Sequence, residues 1–401
     1  MAHSLHNRIF AFTDLHFGVH SNNPSYIQIC SDTLKWVSEY CSENSIDDVL
    51  FLGDFFDSRA SIDVKTLNSA TQSLYELADS GVSVTMVLGN HDIYLRDSTA
   101  IHSLLAFGGR RGIRIVDTPE TVEIEGVGKT ALLLPWMYGT PSKRVEVPTG
   151  TGWVFAHHNF PTNFFMGGAF QRKRNRSDTY VSKTPYEDDY GIQQDLMETL
   201  ANNGGTFFSG HIHQGKTIPL RDSFSDIVIM GSPYETSWGF DGFRCGGYVI
   251  DFAENTKEFV DNPFNKRHVE IRTSDAEKDM EGVDFANSIV RLNVDTQESF
   301  DTISKLQSKI NSMKPFAVEN TKYEFTVAEF VGNRDESVNP LDSIGMKVSS
   351  KLDYILNAID RGDFAAFDYM DGVSENAVHV DKERLRELAS ELFEKGGKRN
   401  S

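Results

Sequence analysis

Short apolar runs alternate with longer helix-like stretches over the first 250 residues, and this alternation most constrains the fold. The runs are four to seven residues long and bounded by Gly, Asp or Pro, which is typical of buried strands. They lie at residues 9–13, 49–52, 82–88, 131–134, 153–156, 206–209, 227–230 and 248–252. Helical patterns separate several of them, for example at 26–44 and 65–80. The pattern predicts an α/β fold whose central sheets are covered by helices.

A polar stretch at 253–287 holds few large apolar side chains and marks a predicted domain boundary. Beyond it, residues 288–294, 300–313 and 322–331 have the patterns of a strand, a helix and a strand, which together form a small βαβ-like unit. A chain of 401 residues is too long for a single hydrophobic core, so two or three domains are expected.

The C-terminal tail has the pattern of two amphipathic helices, near residues 344–361 and 382–395, after a polar linker at 332–340. In the second helix Leu385, Leu388 and Leu392 share one stripe. We therefore predict three parts, which are 1–265, 266–335 and 336–401.

The composition excludes several classes of protein. The 28 Phe and 13 Tyr exclude wholesale disorder, and no stretch approaches the roughly 20 apolar residues of a membrane span. The N-terminus has no apolar signal core, so we predict a cytoplasmic protein with no membrane partner. The three cysteines, Cys30, Cys41 and Cys245, cannot form a disulfide framework, and we predict three free thiols.

The charge is unevenly distributed along the chain. The net charge of −19 argues against simple binding to nucleic acid, because like charges repel. Residues 101–183, however, carry 11 Lys or Arg against 6 Asp or Glu, a net charge of +5. This block includes Arg110, Arg111 and Arg114 and the run from Arg172 to Arg176.

Five short segments hold hard metal ligands at the carboxyl ends of predicted strands, where α/β sheets place their ligand sites. The segments are Asp14-Leu15-His16, Gly53-Asp54, Gly89-Asn90-His91-Asp92, His157-His158-Asn159 and Gly210-His211-Ile212-His213. Asp-x-His, Gly-Asp and His-x-His are common when they occur alone, and Gly-Asn-His-Asp is rarer. All five in this order at matching strand ends predict a metal site.

The predicted ligands are carboxylates, imidazoles and an amide, with no thiolate, so a structural zinc site is not expected. Such a set suits Mn²⁺, Fe²⁺ or Zn²⁺ in a catalytic site. Seven ligands exceed the need of one ion and fit two ions, about 3.5–4 Å apart, that share a carboxylate. We explain the Asp-x-His and His-x-His spacings by an extended backbone, in which residues i and i+2 point to the same side.

At these residues the chain resembles the calcineurin-like metallophosphoesterase superfamily, whose motifs are Asp-x-His, Gly-Asp, Gly-Asn-His-Asp/Glu, a lone His and Gly-His-x-His. The resemblance implies a two-sheet α/β sandwich with a dinuclear metal centre at the sheet ends. It implies that Asp14, His16, Asp54 and His213 hold one ion and that Asn90, His157 and His211 hold the second, with Asp54 bridging. His91 would be a catalytic histidine that stabilises the transition state, and Asp92 would orient it.

Further segments are similar to recombination nucleases of the SbcD type. These are Phe12–Gly18, Gly53–Asp57, Pro135–Met137 and Gly231–Pro233. The similarity implies a Mn²⁺-dependent nuclease subunit of a recombination and repair complex, a 3′–5′ exonuclease on duplex ends and a single-strand endonuclease. It also implies a homodimer through helices at 26–44 and 98–107, a small capping domain, and an SMC-like ATPase (SbcC-type) bound by the C-terminal helices.

Several assignments stay open at the level of sequence. His157 is preferred over His158 as a ligand because of a resemblance to Ile-His-Gln-Asn in nuclease members. Asp57 either contributes to substrate binding or caps the next helix. Arg172, Lys173 and Arg174 predict a DNA-binding loop, with a solvated loop as the alternative.

Two other functions compete with the DNA nuclease. One is a metallophosphoesterase that acts on small phosphodiesters or phosphoproteins, although protein phosphatases usually have Glu where this chain has Asp92. The other is a recombination scaffold with a vestigial site, against which the complete ligand set argues.

Overall fold

The computed structural model describes residues 4–95, 98–137, 150–159, 205–219, 226–240, 242–296, 298 and 300–323. Its strands, in chain order, are β1 (Ser4–Leu5), β2 (Arg8–Phe12), β3 (Asp48–Phe51), β4 (Ser83–Val87), β5 (Ile93–Leu95), β6 (Ser98–His102), β7 (Ile113–Val116), β8 (Glu120–Ile124), β9 (Thr130–Leu134), β10 (Thr151–Ala156), β11 (Thr206–Ser209), β12 (Lys216–Pro219), β13 (Asp226–Ile229), β14 (Gly246–Asp251), β15 (Thr256–Asp261), β16 (Arg267–Arg272), β17 (Ser288–Val294), β18 (Ala317–Val318) and β19 (Lys322–Tyr323). The helices are α1 (Pro24–Glu43), α2 (Val64–Asp79), α3 (Ala276–Asp279) and α4 (Phe300–Ser312). The eight apolar runs predicted as strands in about the first 250 residues all form strands.

The chain divides after His268 into two compact units. In the first unit, one sheet has the strand order β1-β8-β9-β10-β11-β13-β12, and the other has the order β15-β14-β2-β3-β4-β7. Strands β9, β10, β11 and β13 are parallel, as are β2, β3, β4 and β7. The predicted two-sheet α/β architecture is confirmed. Parallel order within each set brings the carboxyl ends of its strands to one edge.

A core of apolar side chains from both sheets lies between them. Ile9 and Ala11 of β2 belong to this core together with Phe155 of β10 and Phe208 of β11. The alternate residue Phe10 packs on the other face, where its ring lies 5.5 Å from that of Trp36 in α1. Burial on both faces explains why these strands are continuous apolar runs rather than alternating patterns.

The two long helices of the first unit begin at side-chain caps. The Asn23 side chain accepts the backbone N–H of Ser25 at 2.9 Å, and Pro24 occupies the first turn of α1. Asp63 caps α2 by accepting the N–H of Lys65 at 2.8 Å. The alternative that Asp57 caps this helix is therefore wrong, because Asp63 has that role.

The second unit contains a four-stranded sheet of β16, β17, β18 and β19 with helix α4. Its core includes Ile271, Val290, Leu292, Ile303 and Ile310. The strand predicted at 288–294 and the helix predicted at 300–313 are present, whereas most of the strand at 322–331 and both C-terminal helices lie outside the described residues. The predicted domain boundary between residues 335 and 336 also lies outside the described residues.

The predicted boundary stretch at 253–287 contains the division after His268, and it also contains β15, β16 and α3. One local prediction differs from the structure. Residues 98–107 are not an α-helix, because β6 pairs with β5 as a hairpin and Ser103–Phe107 forms a 3₁₀ turn. Pairing with β5 thus prevails over any local helical preference of residues 98–102.

The three cysteines are free, as predicted, and all three are buried. Among the helices that the structure describes, none has the length and apolar character needed to cross a membrane.

The pairing of β14 with β15 depends on a glycine. A Cβ atom on Gly246 would lie 1.9 Å from the carbonyl oxygen of Val260, whereas one on Gly152 in β10 would meet only the Lys129 side chain at 3.4 Å. We expect Gly246→Ala to lower the free energy of unfolding by about 1–3 kcal/mol or more, because the strands must separate. Gly152→Ala should change it by less than about 0.5 kcal/mol. Urea unfolding measures both, and equal effects would contradict the close contact.

Candidate metal centre

The predicted ligands converge at the carboxyl ends of five strands. Asp14 and His16 follow β2, Asp54 follows β3 and Asn90 follows β4, all in one sheet. His157 follows β10, and His211 and His213 follow β11, in the other sheet. The site thus lies where the edges of the two sheets meet.

The first cluster consists of Asp14, His16 and His213, whose ligand atoms all lie within 4.8 Å of one another. The Nε2 atoms of His16 and His213 are 3.0 Å apart. Oδ1 of Asp14 lies 3.5 Å from Nε2 of His213 and 3.7 Å from Nε2 of His16. Asp14 and His16 are buried. Their atoms are placed to hold one cation.

The second cluster consists of Asp54, His157 and His211, with Asn90 between the two imidazoles. Oδ2 of Asp54 lies 3.1 Å from Nε2 of His157. Oδ1 of Asn90 lies 3.1 Å from the same nitrogen and 2.8 Å from Nδ1 of His211. These four residues are placed to hold a second cation.

One carboxylate faces both clusters. The oxygen Oδ2 of Asp54 that lies 3.1 Å from His157 is also 3.6 Å from Nε2 of His16. The other oxygen, Oδ1, accepts the backbone N–H of His91 at 2.8 Å, which fixes the carboxylate plane. Asp54 is therefore placed to bridge two cations.

The orientation of the imidazoles fits metal ligation. Nδ1 of His157 lies 2.6 Å from the carbonyl oxygen of Leu52, which can only accept a hydrogen bond. Nδ1 therefore carries a proton, and when a cation displaces the proton of Nε2, the lone pair of that nitrogen faces the cluster. Nδ1 of His213 is likewise engaged, at 2.9 Å from Oγ1 of Thr236. Nitrogen and oxygen donors of this kind suit catalytic divalent cations.

The buried carboxylates and imidazoles of the site shift the pKa values of one another. Burial alone would raise the pKa of the Asp54 carboxyl, but the positive charge of His157 and their hydrogen bond hold that pKa well below its usual range. Burial lowers the pKa of His157, yet the Asp54 and Asp14 carboxylates outweigh burial and raise the pKa to about 9. Burial and the charge of His157 lower the pKa of His211 to about 4. Protons on imidazoles thus balance the carboxylates, and a bound cation competes for the same lone pairs.

The backbone at the ligands is not extended, so our explanation of the Asp-x-His and His-x-His spacings is wrong. Positive φ angles occur at Asp14 (56°), His16 (50°), Asp54 (59°) and His211 (78°), which is the left-handed region that non-glycine residues rarely adopt. Asp14 and His16 meet because the chain turns sharply at both residues. Strain of this kind is typical of functional sites.

Glycines allow the loops to approach one another. A Cβ on Gly89 would lie 2.2 Å from Oδ1 of Asp54, and one on Gly53 would lie 2.6 Å from Nδ1 of His157. A Cβ on Gly210 would lie 2.1 Å from Oγ1 of Thr13. No larger residue fits at these three positions without displacing a ligand or its support.

His91 and Asp92 follow Asn90 but have different partners from those predicted. Asp92 accepts backbone N–H groups from Asp54 at 2.9 Å, Gly89 at 2.8 Å and Phe55 at 3.0 Å. It therefore holds the turn at Asp54 and does not orient His91. The Nδ1 atom of His91 instead contacts the backbone carbonyl oxygen of Asp57.

Asp57 also reaches the metal ligands through its side chain. Its Oδ1 lies 3.3 Å from Nδ1 of His16, on the side of the ring opposite to the first cluster. Burial would raise the pKa of the Asp57 carboxyl, but His16 outweighs burial and lowers it. Asp57 thus supports one ligand and the orientation of His91. The substrate-binding role predicted for it stays a prediction.

The structure distinguishes the two adjacent histidines. His157 points into the second cluster, whereas Nε2 of His158 lies 3.0 Å from the carbonyl oxygen of Pro135. The ring of Trp136 stacks on His158 with 5.6 Å between centroids. Trp136 also lies 4.9 Å from His211, so the Pro-Trp-Met segment packs beside the second cluster.

The predicted basic residues are only partly described. Arg172, Lys173 and Arg174 lie outside the described residues. Arg110 pairs with Asp79 at 2.6 Å, and Arg114 pairs with Glu120. Asp79 lies outside residues 101–183 and offsets one charge of that block, whereas Glu120 is already counted in its net charge of +5.

The sequence profile of the calcineurin-like phosphoesterase family matches residues 7–215, which are just over half of the chain and include all seven predicted ligands. The protein belongs to this family. It is 25% identical over 258 residues to exonuclease subunit 1 of Enterobacteria phage T4, which covers 64% of this chain and 68% of that protein. A dimetal phosphatase from Danio rerio aligns with a TM-score of 0.39 and 12% identity, over 62% of this chain and 93% of the other.

Separate substitution of His157 and His158 tests the assignment of the ligand. We expect folded His157→Ala to hold about one metal ion fewer per chain than the unchanged protein, because the second cluster loses an inward lone pair. His158→Ala should keep the metal content, although removal of a buried side chain lowers its stability. Elemental analysis after gel filtration, with circular dichroism to verify folding, measures both. Loss of metal in His158→Ala alone would contradict the assignment.

Proposed function

We propose that this protein is a two-metal-dependent DNA nuclease, with Asp14, His16, Asp54, Asn90, His157, His211 and His213 as the ligands and Mn²⁺ as the metal. The observation that carries the proposal is the pair of ligand clusters that share Asp54. Sequence similarity to a phage exonuclease subunit supports DNA as the substrate. We propose the activities of a 3′–5′ exonuclease on duplex ends and an endonuclease on single strands.

Two bound divalent cations would lower the pKa of water and offset the charge of a phosphodiester. The chain's own groups set the geometry of the reaction. Oδ1 of Asp54 accepts the backbone N–H of His91, and Oδ2 faces Nε2 of His157. The centroid of the His91 ring lies 5.0 Å from that of His16, at the border of the first cluster. With Nδ1 against the carbonyl of Asp57, Nε2 of His91 is the nitrogen available to a phosphoryl or leaving oxygen.

The net charge of −19 bears on how DNA is held. Asp14 and Asp54 are assigned to the cations, which would add about four positive charges at the site. We propose that Arg172, Lys173 and Arg174 contact DNA phosphates and that Asp57 lies on the substrate side of the site. A chain this acidic should bind DNA weakly alone, so we expect a partner to strengthen binding.

We propose an SMC-like ATPase of the SbcC type as that partner, bound by the C-terminal helices, in the cytoplasm. Deletion of residues 375–401 should abolish ATPase binding and leave hydrolysis of a small phosphodiester intact.

We also propose a homodimer, because large apolar side chains are exposed on α2, on the β5–β6 hairpin and on the 3₁₀ turn after it. These are Val64, Leu67, Tyr94, Leu95, Ile101 and Leu105. A monomeric mass by light scattering would contradict the dimer.

Parallel assays test the proposed substrate. With Mn²⁺ present, we expect cleavage of linear DNA and little reaction with a cyclic nucleotide or a phosphopeptide. Preference for either small substrate would favour a different phosphoesterase, and no reaction with any of them would favour a scaffold.

Substitution of His91 tests its catalytic role. His91→Gln should lower the rate of DNA cleavage by about 10²- to 10⁴-fold, because a general acid–base group is removed. The metal content should stay unchanged, since His91 is not among the proposed ligands. Equal rates for the variant and the unchanged protein would exclude this role.

The salt dependence of DNA binding tests the basic run. Replacing Arg172, Lys173 and Arg174 with Gln should reduce the slope of log K against log salt by about 0.9 for each phosphate that is no longer neutralised. A control that exchanges Arg for Lys and Lys for Arg at the same positions should keep the slope. An unchanged slope in the Gln variant would show that these residues do not contact DNA.

A further inference from the structure

A short segment after the Gly231-Ser232-Pro233 turn contacts the first cluster on the side that faces away from the predicted metal position. Oγ1 of Thr236 lies 2.9 Å from Nδ1 of His213, on the side of the imidazole opposite to the other ligands. Nearby, the backbone N–H of Ser232 donates to the carbonyl oxygen of His213 at 2.9 Å. Both the ring and the backbone of this ligand are therefore bonded to residues 232–236.

The same segment supports the other two members of the cluster. The hydroxyl of Tyr234, which is fully buried, donates to the carbonyl oxygen of Leu15 at 2.8 Å. The thiol of Cys30 donates to the same oxygen at 3.1 Å. Leu15 lies between Asp14 and His16, both with positive φ, so these two donors hold the strained turn that aims both ligands.

Glu235 lies between Tyr234 and Thr236 in sequence, and its side chain anchors the segment to His268 rather than to the first cluster. Its carboxylate accepts the backbone N–H of His268 at 2.8 Å and lies 3.2 Å from Nδ1 of the same residue. Nε2 of His268 in turn lies 2.6 Å from the hydroxyl of Tyr26 in α1. Glu235 is only 4% exposed, so this buried network fixes the position of the segment.

Thr236 has a second imidazole partner. Its backbone carbonyl oxygen lies 2.8 Å from Nε2 of His20, and the His20 ring lies 4.3 Å from that of Tyr26. His20 and the two residues after it have positive φ angles of 53°, 57° and 61°. This left-handed turn is costly for non-glycine residues, and it places His20 against Thr236.

The two clusters differ in how their imidazoles are held. The His157 side chain is fully buried and bonds to the carbonyl oxygen of Leu52, directly after β3, so packing and a strand end hold it. The His213 side chain is 32% exposed and depends on Thr236 for its outer nitrogen. In the part of the chain that the structure describes, the side chains of residues 234–236 form hydrogen bonds with residues of the first cluster, with its supports and with the anchor of the segment. These partners are His213, Leu15, Cys30, Arg267 and His268, and none belongs to the second cluster.

We propose that residues 234–236 form a positioning element for one metal position only, that of Asp14, His16 and His213, with Thr236 as its positioning residue. The inference rests on the proposed two-metal centre and deepens it. Thr236 fixes which nitrogen of His213 faces the cation, and Tyr234 fixes the turn that carries the other two ligands. Substitutions in this segment should therefore weaken the position of Asp14, His16 and His213 far more than the other position.

Titration of Mn²⁺ into the metal-free chain of 401 residues tests the proposal. We expect Thr236→Val to weaken one of two binding events by about 10- to 100-fold, the usual effect of removing a group that orients a ligand, and to leave the other within about twofold. Thr236→Ser keeps the hydroxyl and should bind both ions as the unchanged protein does. Thr85→Val, a matched change in β4, should alter neither event. In electron paramagnetic resonance, the signal of a coupled Mn²⁺ pair should give way to that of a single ion in Thr236→Val.

Tyr234→Phe provides a second test if Thr236→Val does not fold. It should weaken the same binding event, because Leu15 loses one of its two donors. Equal weakening of both events, or no weakening in either variant, would overturn the proposal. If the unchanged protein binds fewer than two ions, the proposed two-metal function fails instead, so the two failures are distinguishable.

Discussion

The close approach of three backbone segments is the constraint on which the site depends. Gly53, Gly89 and Gly210 lie so near their neighbours that a Cβ on any of them would come within 2.6 Å of another atom. This packing sets the distances between Asp54, His157 and the residues around them. The apolar core holds the two sheets together. The glycines let the loops at the sheet ends pack closely, and this packing fixes the positions of the polar ligand atoms.

The sequence was sufficient to predict which residues gather. Buried parallel strands are apolar throughout, so strands such as β3 and β10 were recognisable, and polar residues directly after them had to lie at a sheet edge. Asp54 after β3 and His157 after β10 illustrate this directly. The separate sheets followed from the motif resemblance rather than from periodicity, because apolar runs do not reveal which strands pair.

The sequence was insufficient to predict which atoms meet. The direction of a side chain in a turn depends on its φ and ψ angles, and Asp14 and His16 have left-handed conformations that no local pattern specifies. Asp92 follows His91 in sequence but bonds to the backbone of another loop. Thr236 lies 23 residues from His213, and only tertiary structure brings its hydroxyl to the ring. The Gly-Ser-Pro turn before it was the one available signal.

The contribution of both sheets to one cluster has a consequence for folding. Asp14 and the backbone of His211 form a hydrogen bond across 197 residues of sequence, so the centre cannot exist until both sheets have formed and docked. Contacts so distant in sequence form late, because loop closure must precede them. A cation that needs both edges would bind the native chain far better than any partly folded form. Its binding would therefore raise the free energy of unfolding and favour the last step of folding, in which the two sheets dock.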